Sequence, residues 1–320
     1  MGKTAFLFSG QGAQYVGMGR DLYDNISSSR DIFELAKTVL NMDIMKLCFE
    51  GTSEDLNKTE NTQPAILTMS MAVHRCLEEE TGVEFAPEFV AGHSLGEYTA
   101  LVASGTLSLE DGVRLVHLRG KLMQEAVPLG KGSMAAIIGL DRESVISICE
   151  EVSSLGVCQA ANFNAPGQIV ISGEREAVDK AVSMCKDAGA KRALPLKVSA
   201  PFHCSLMRPV ADRLRESFSR CSWNRPKWPL IANVSAGLVS DVESIQEALF
   251  LQTFMPVLWS GSIELMISRG VRSFLEVGPG SVLSGLIKRI SADSRCLSVN
   301  DHEGIREVID FLKGGQYDES

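Results

Sequence analysis

The sequence predicts an α/β protein in which a mainly parallel sheet forms a large domain and a smaller subdomain is inserted into it. Two observations predict this class. Short apolar segments alternate with longer helical segments towards both ends of the chain, which favours a parallel sheet covered by helices on both faces. The middle of the chain has a different order of elements. The length of 320 residues is enough for one large domain or for two unequal ones.

The first segment begins with a strand, Thr4–Phe8, that runs into a glycine-rich loop at residues 9–14. Pro64 suits the first position of a helix over about 63–80. Ser108 starts a later helix, because Asp111 three residues on is a capping signal. The other elements predicted here are helices at about 17–28 and 30–48, a strand at 89–91, a helix at 97–104 and the end of the later helix near 127.

Residues 128–198 are predicted to form the small subdomain. The turn sequence Asn164–Gly167 joins two of its strands. The elements are strands at 132–140, 157–163, 168–172 and 192–198, with helices at 142–153 and 174–188. This β-α-β-β-α-β order is that of a ferredoxin-like fold.

The alternating pattern resumes after the subdomain, with strands near 229–234, 272–277 and 296–299 and helices between them. Strands that alternate with helices again favour a mainly parallel sheet. The large domain is therefore expected to be discontinuous, with residues 1–127 and 199–320 on either side of the insertion at 128–198.

Composition and charge exclude several classes of protein. The net charge of −9 argues against a nucleic-acid surface, and no basic cluster overturns it. No stretch approaches the roughly 20 apolar residues of a membrane span, and the first apolar run is too short for a secretion signal. The eight cysteines form no C-x-x-C pair and no metal-ligand spacing. We expect a cytoplasmic protein with reduced thiols, without membrane or nucleic-acid partners.

The stretch AGHSLGEYTA, residues 91–100, contains the pattern G-x-S-x-G from Gly92 to Gly96. A serine between a strand and a helix in this pattern is held out on a sharp turn, where it can attack carbonyl groups. Ser94 is therefore the candidate nucleophile. The backbone N–H of Leu95, at the start of the helix, is the expected donor to an oxyanion.

A serine nucleophile needs a base, and the chain has five histidines. His74 and His117 lie inside helical patterns, where a structural role is expected. His93 adjoins Ser94, but neighbours on a tight turn usually point apart. His203 lies just where a strand ends, which is where α/β proteins place chemistry, so spacing favours it slightly over the others, including His302.

Arg119 projects from the apolar face of a predicted helix. Its neighbours three and four residues away are apolar, namely Leu115, Val116, Leu122 and Met123. A buried guanidinium needs a partner. One alternative is a structural ion pair with an aspartate or glutamate elsewhere, and the other is a substrate carboxylate held by two hydrogen bonds.

Seven blocks of sequence, in order, carry a family resemblance. They are FLFSGQGAQYVGMG at 6–19, QPAI at 63–66, GHSLGEYTAL at 92–101, RGKLMQEA at 119–126, NFNAPGQIVISG at 162–173, VSAPFHCSLM at 198–207 and EVGPGSVLSGLIK at 276–288. With these blocks the chain resembles, essentially end to end, the malonyl-CoA:acyl carrier protein transacylases of fatty acid synthesis. That family has an α/β-hydrolase-like large domain and a ferredoxin-like small one.

The resemblance implies a role for each matching residue. Ser94 would carry the acyl group, and His203 would act as general base and then as general acid. Arg119 would hold the malonyl carboxylate. Gln11 would supply a backbone N–H to the oxyanion hole beside Leu95. In this family the backbone carbonyl near Gln252 orients the imidazole; Gln252, Phe202 and His93 are placed, with Arg119, among the substrate-binding residues.

The implied reaction moves a malonyl group from malonyl-CoA to the phosphopantetheine thiol of acyl carrier protein through a malonyl-serine ester. Malonyl-CoA and acyl carrier protein are then substrates, no cofactor is expected, and a monomer is the family's usual form. The pair Phe202–His203 resembles the pair at this point in malonyl-selective acyltransferase domains of polyketide synthases. An acyltransferase that serves a polyketide carrier is therefore an alternative. Two alternatives of other classes are a serine esterase or thioesterase and a non-catalytic module that docks carrier protein.

Overall fold

The computed structural model describes residues 3–81, 86–128, 130–196, 198 and 200–314. Its strands form a six-stranded sheet and a four-stranded sheet. The predicted α/β class, with a parallel-dominated sheet and a second, smaller sheet, is therefore confirmed.

The large sheet is parallel except at one edge. Its strands are β1 (Lys3–Phe8), β2 (Phe89–Gly92), β7 (Leu230–Ala232), β8 (Gly237–Val239), β9 (Val271–Val277) and β10 (Arg295–Val299). These strands lie in the order β10-β9-β1-β2-β7-β8. Strand β1 pairs in parallel with both β2 and β9, and among the described strands of this sheet only the β7–β8 pair is antiparallel. The order therefore runs outwards in both directions from β1. The loops after β1 and β2 consequently lie side by side at the carboxyl edge, where such sheets bind ligands.

Helices cover both faces of this sheet. They are α1 (Arg20–Asn25), α2 (Ser27–Leu40), α3 (Ile44–Glu50), α4 (Ser53–Leu56), α5 (Thr59–Thr81), α6 (Leu95–Ala103), α7 (Leu109–Glu125), α10 (Arg208–Phe218), α11 (Val242–Phe254), α12 (Trp259–Ser268), α13 (Val282–Ile290) and α14 (His302–Gly314). Successive residues of β1 enter different cores: Phe6 and Phe8 pack into one apolar cluster, and Ala5 and Leu7 into another. This alternation is the expected period of two for a strand buried on both faces.

The second sheet belongs to the predicted insertion. Its elements are β3 (Gly132–Ile138), α8 (Arg142–Glu151), β4 (Cys158–Ala165), β5 (Gln168–Glu174), α9 (Arg175–Asp187) and β6 (Arg192–Pro195), with a 3-10 turn at Val152–Leu155. The four strands lie in the sheet in the order β4-β5-β3-β6. The β-α-β-β-α-β order along the chain is as predicted, and the elements enclose a core of their own. The last strand ends at Pro195 instead of Val198, and position 197 lies outside the described residues.

Some predicted boundaries were wrong. Two helices were expected, at 17–28 and 30–48, but this segment forms three helices, α1 to α3. The second expected helix is divided because Asn41 adopts a left-handed φ of 49°, which ends α2 before α3 begins. The short strand β8 was not predicted. Pro64 is not at a first helical position but lies inside α5, which begins at Thr59.

Pro64 is tolerated there because the carbonyl that its missing N–H would have used has another partner. The lost hydrogen bond would have run to the carbonyl of Glu60, four residues earlier. His117 Nδ1, on α7, donates to that carbonyl at 3.0 Å. A backbone acceptor freed in one helix therefore ties α5 to its neighbour.

The described part of the chain contains no candidate membrane span and no candidate metal site. None of the described helices combines the length and apolar character needed to cross a membrane. In the described part of the chain, no three His, Cys, Asp or Glu residues are grouped so that they could hold a metal ion.

Candidate active site

Ser94 lies on a sharp turn between β2 and α6. Its backbone has φ 52° and ψ −101°, a left-handed conformation that costs a non-glycine residue of order 1–3 kcal/mol. The turn needs glycine on both sides: a Cβ at Gly92 would lie 2.0 Å from the carbonyl carbon of Gly96. A Cβ at Gly96 would lie 2.1 Å from the carbonyl oxygen of Phe8. The strained turn is thus packed directly against the end of β1.

The imidazole of His203 contacts the Ser94 hydroxyl. Its Nε2 lies 2.8 Å from Ser94 Oγ. Its Nδ1 donates to the backbone carbonyl of Gln252 at 2.8 Å, which leaves Nε2 free to accept the serine proton. Burial, followed by the charge of Arg119, lowers the pKa of His203 to about 3, so the ring is neutral at physiological pH.

Arg119 is buried, with 1% of its surface exposed, and its guanidinium reaches the nucleophile. Nη2 donates to Ser94 Oγ and to Gln252 Oε1, both at 3.0 Å, and Nη1 donates to Gln63 Oε1 at 2.9 Å. Among the described residues, no carboxylate oxygen lies within ion-pair distance of it, and Nε has no hydrogen-bond partner. The direct ion pair considered from the sequence is therefore absent among the described residues.

Gln11 and Leu95 lie where an oxyanion hole would form. Within the described part of the chain, neither backbone N–H has a hydrogen-bond acceptor outside its own element. The loop that holds Gln11 is pressed onto the serine turn, since a Cβ at Gly10 would lie 2.4 Å from the His93 carbonyl oxygen. Leu95 also begins α6, whose amino end carries a partial positive charge.

Gln252 connects the members of the site. Its carbonyl holds His203, its Oε1 accepts from Arg119, and its Nε2 donates at 2.8 Å to the Ser94 carbonyl. The same Nε2 donates to Glu97 Oε2 at 3.0 Å. Because both ends of the amide have charged partners, its orientation is fixed.

Asn233 binds the backbone of the turn at Ser94, and Glu97 in turn binds Asn233. The Asn233 side chain accepts from the Ser94 N–H at 2.7 Å and donates to the Gly92 carbonyl at 2.8 Å. Its own backbone N–H donates to Glu97 Oε2 at 3.0 Å. Burial raises the pKa of Glu97 to about 7, against the lowering effect of Gln252, Asn233 and Arg119.

His93 and Phe202, the other two predicted residues, do not contact the Ser94 hydroxyl in the described structure. His93 turns away, as expected for a neighbour on a tight turn: its Nε2 pairs with Asn164 Oδ1 at 2.8 Å, and its ring packs on Trp259. Asn164 belongs to the predicted turn of the small sheet, so this bond joins the two sheets. Phe202, 8% exposed, is buried in the main core beside His203.

Three residues of the site were not predicted from the sequence. Gln63 and Glu97 lie inside blocks that carry the resemblance, QPAI and GHSLGEYTAL, but they were given no role. Asn233 follows an apolar strand in Leu230–Ala232, and a polar residue at the carboxyl end of a parallel strand is the signal that could have identified it.

A cavity of about 500 Å³ opens beside His203, the histidine that contacts the Ser94 hydroxyl. Its walls include His203 and the apolar side chains of Phe163, Phe254 and Pro256. Phe163 comes from the small sheet and Phe254 from the large unit, so the cavity lies between them. Backbone hydrogen bonds join its walls, because Phe163 N–H donates to the Val257 carbonyl at 2.9 Å.

Comparisons with known proteins agree with this geometry. Residues 5–304 match the family model described as the acyl transferase domain. The malonyl CoA-acyl carrier protein transacylase of Bacillus subtilis is 46% identical over 98% of both chains. Its counterpart in Escherichia coli K12 is also 46% identical, over 97% of this chain and 100% of its own.

Solved structures give the same result. The malonyl CoA-acyl carrier protein transacylase of Coxiella burnetii superposes with a TM-score of 0.95 at 43% identity, covering 97% of this chain and 98% of its own. A malonyl-transacylase solved in complex with its type II PKS acyl-carrier protein gives 0.94 at 45% identity, covering 97% and 99%. This chain therefore belongs to the malonyl CoA-acyl carrier protein transacylases, within the acyl transferase domain family.

Proposed function

We propose that this chain transfers the malonyl group of malonyl-CoA to the phosphopantetheine thiol of acyl carrier protein, for fatty acid biosynthesis. The observation that carries the proposal is the position of Arg119. A buried guanidinium that contacts no carboxylate directly in the described structure lies 3.0 Å from the hydroxyl of a serine that also contacts a histidine. Such a site selects an acyl group that brings its own carboxylate.

In the first half-reaction, His203 removes the proton from Ser94 as the hydroxyl attacks the thioester carbonyl. The Gln11 and Leu95 N–H groups stabilise the oxyanion. When this intermediate collapses, the C–S bond breaks, His203 returns the proton to the leaving CoA sulfur, and a malonyl-serine ester remains. Gln252, through its carbonyl, keeps the imidazole in the required tautomer.

In the second half-reaction, the carrier's thiol attacks the ester with His203 again as base. The C–O bond to Ser94 breaks, and Ser94 recovers its proton. Thioester is exchanged for thioester, so the chemistry balances without a cofactor. We propose that Arg119 holds the malonyl carboxylate throughout, and that Phe202 and His93 shape the acyl pocket, with Phe202 disfavouring the branch of a methylmalonyl group.

We also propose the finer architecture: an α/β-hydrolase-like large domain at 1–127 and 199–320, and a ferredoxin-like subdomain at 128–198. The separate apolar core of the small unit and the turn at Ser94 support this division. We propose a monomer that acts in the cytoplasm.

The test is intact mass spectrometry after incubation with malonyl-, methylmalonyl- or acetyl-CoA, followed by a chase with holo acyl carrier protein or with water alone. We expect a malonyl adduct that is stable in water, is discharged by the carrier and does not form in Ser94→Ala. An adduct that survives in Ser94→Ala would refute the nucleophile. Rapid loss in water would favour an esterase, and no adduct on any acyl-CoA would favour a non-catalytic docking module.

The polyketide alternative differs only in the carrier. One comparison favours keeping it, because the malonyl-transacylase solved with a type II PKS acyl-carrier protein is 45% identical to this chain. Discharge of the adduct by carriers from both kinds of pathway, measured side by side, separates the two.

A further inference from the structure

The buried network around Ser94 contains one guanidinium and one carboxyl group. Arg119 is 1% exposed, and Glu97 is fully buried. They do not touch, but the side chain of Gln252 joins them, since its Oε1 accepts from Arg119 and its Nε2 donates to Glu97. One amide therefore separates a guanidinium from a carboxyl group, and these two groups can carry opposite full charges.

Glu97 has no part in the acyl exchange, and its hydrogen bonds are incomplete. Oε2 accepts from the Asn233 N–H and from Gln252, whereas Oε1 has no partner among the described residues. A buried carboxylate with an unsatisfied oxygen is stable only beside a positive charge or after taking up a proton.

The charged and titratable groups that act on Glu97 are few. Arg119 faces it from α7, and Tyr98 is its neighbour on α6. From α11 and from the end of β7 it meets neutral donors, the Gln252 amide and the Asn233 N–H. Arg119 is therefore the group that can balance its charge.

We propose that Glu97 is the counter-ion of Arg119 in the empty site and takes up a proton from solvent when the malonyl carboxylate replaces it. This inference rests on the proposed function. Malonate entry places a second anion beside a single guanidinium. Because the substrate contacts Arg119 directly and Glu97 does so only through Gln252, Glu97 is the carboxylate that becomes neutral. The total charge of the buried network is then the same before and after binding.

The resting state of Glu97 suits this exchange. Burial raises its pKa to about 7 in the empty site, so at pH 8 the group is mainly ionised and can accept a proton. Arg119 Nη2 reaches both Ser94 Oγ and Gln252 Oε1 at 3.0 Å, so the side of the guanidinium that faces the nucleophile also carries the link to Glu97.

Calorimetric titration of the Ser94→Ala protein at pH 8 tests the proposal, in phosphate and in Tris, whose ionisation enthalpies differ. We expect malonyl-CoA to bind with uptake of on the order of one proton. Acetyl-CoA is the matched control, because it carries the same CoA phosphates and no carboxylate, and we expect little uptake with it. In Ser94→Ala/Glu97→Gln the uptake on malonyl-CoA should disappear. Equal uptake with both ligands, or uptake unchanged by Glu97→Gln, would overturn the proposal.

A kinetic measurement on protein with Ser94 intact gives a second readout. Proton uptake on binding predicts that kcat/KM for malonylation falls by up to about tenfold per pH unit above pH 7, whereas Glu97→Gln gives a flatter profile. Wild-type protein that forms the malonyl adduct without any pH dependence assigned to Glu97 would refute this inference and leave the proposed function standing. Absence of the adduct at every pH would refute the proposed function itself.

Discussion

Glu97 and Glu276 are both buried carboxyl groups beside the large sheet, yet their surroundings differ. Glu276, on β9, accepts from the backbone N–H groups of Leu283 and Ser284 at the start of α13, at 2.9 and 2.7 Å, and from the Ser284 hydroxyl at 2.7 Å. Both of its oxygens are used. Glu97 has one oxygen with two donors and one with no partner in the described structure.

The difference indicates two uses of a buried acid. Burial raises the pKa of both groups, but the donors around Glu276 come from a helix terminus and fix a structural joint. The donors around Glu97 are Asn233 and Gln252, and the side chains of these two residues also bind Ser94 and Arg119. A carboxyl group whose oxygens are all satisfied by a helix terminus is expected to act on stability alone, whereas one that is incompletely satisfied near a substrate-binding cation is expected to act on binding as well.

The largest expected effect comes from removing the cation on which Glu97 depends. Arg119→Ala should lower the malonylation rate by about a thousandfold and acetylation far less, because only the malonyl group loses an ionic partner in a dry site. Adduct formation followed by mass spectrometry measures both rates. Arg114→Ala, at an exposed position of the same helix, is the control and should change neither rate. Equal losses for the two acyl groups would remove the carboxylate role of Arg119.

The next effect concerns stability as a function of pH. The pKa of Glu97 is raised from 4.5 to about 7 on folding, so its contribution to stability is fully present below pH 4.5 and is lost as the pH rises towards 7. The free energy of unfolding of wild type, relative to Glu97→Gln, should therefore fall by on the order of 3 kcal/mol between pH 4.5 and 7.5. Urea unfolding at the two pH values measures it. A constant difference between the two proteins would mean that Glu97 does not titrate in this range.

Glu276→Gln should act on the fold alone. An amide cannot accept from three donors as a carboxylate does, so we expect the free energy of unfolding at pH 7 to fall by about 2 kcal/mol. The rate of malonylation per folded molecule should stay at the wild-type value. Glu264→Gln, at an exposed position on α12, is the matched control for loss of one charge. A reduced malonylation rate in folded Glu276→Gln would erase the distinction between the two acids.

The smallest expected effect is that of Ser284→Ala, which removes one side-chain donor from Glu276 and leaves both backbone donors in place. We expect a loss of about 1 kcal/mol in the free energy of unfolding, which denaturant titration can resolve. A loss as large as that of Glu276→Gln would mean that the hydroxyl, and not the amino end of α13, is the main partner of the carboxylate.

The sequence predicted the architecture better than its boundaries. Alternating apolar and helical segments were enough for the two sheets, because each period reflects burial of a whole face. The break between α2 and α3 was missed because it depends on the left-handed backbone of Asn41, which has no apolar signature. Pro64 was misplaced because the donor that replaces its lost hydrogen bond, His117, lies on a different helix.

The same division holds for the site. Ser94 and Arg119 stood out because each violates a local rule, a serine between two glycines and a cation on an apolar face. Gln63, Glu97 and Asn233 violate no such rule, since a single polar residue in a helix or after a strand is ordinary. Only the folded chain brings Asn233 within 2.7 Å of the Ser94 N–H, across 139 positions of sequence.

The proline inside α5 has a consequence for how the anion site is assembled. His117 lies two positions before Arg119 on α7 and donates to the Glu60 carbonyl of α5. Gln63, which accepts from Arg119, lies immediately before Pro64 on α5. The main chains also touch at this level, since a Cβ at Gly120 would lie 2.5 Å from the Thr59 carbonyl oxygen. The two helices are thereby pinned against sliding past each other. The packing of α7 against α5 therefore orients the Arg119 guanidinium before any malonyl group binds.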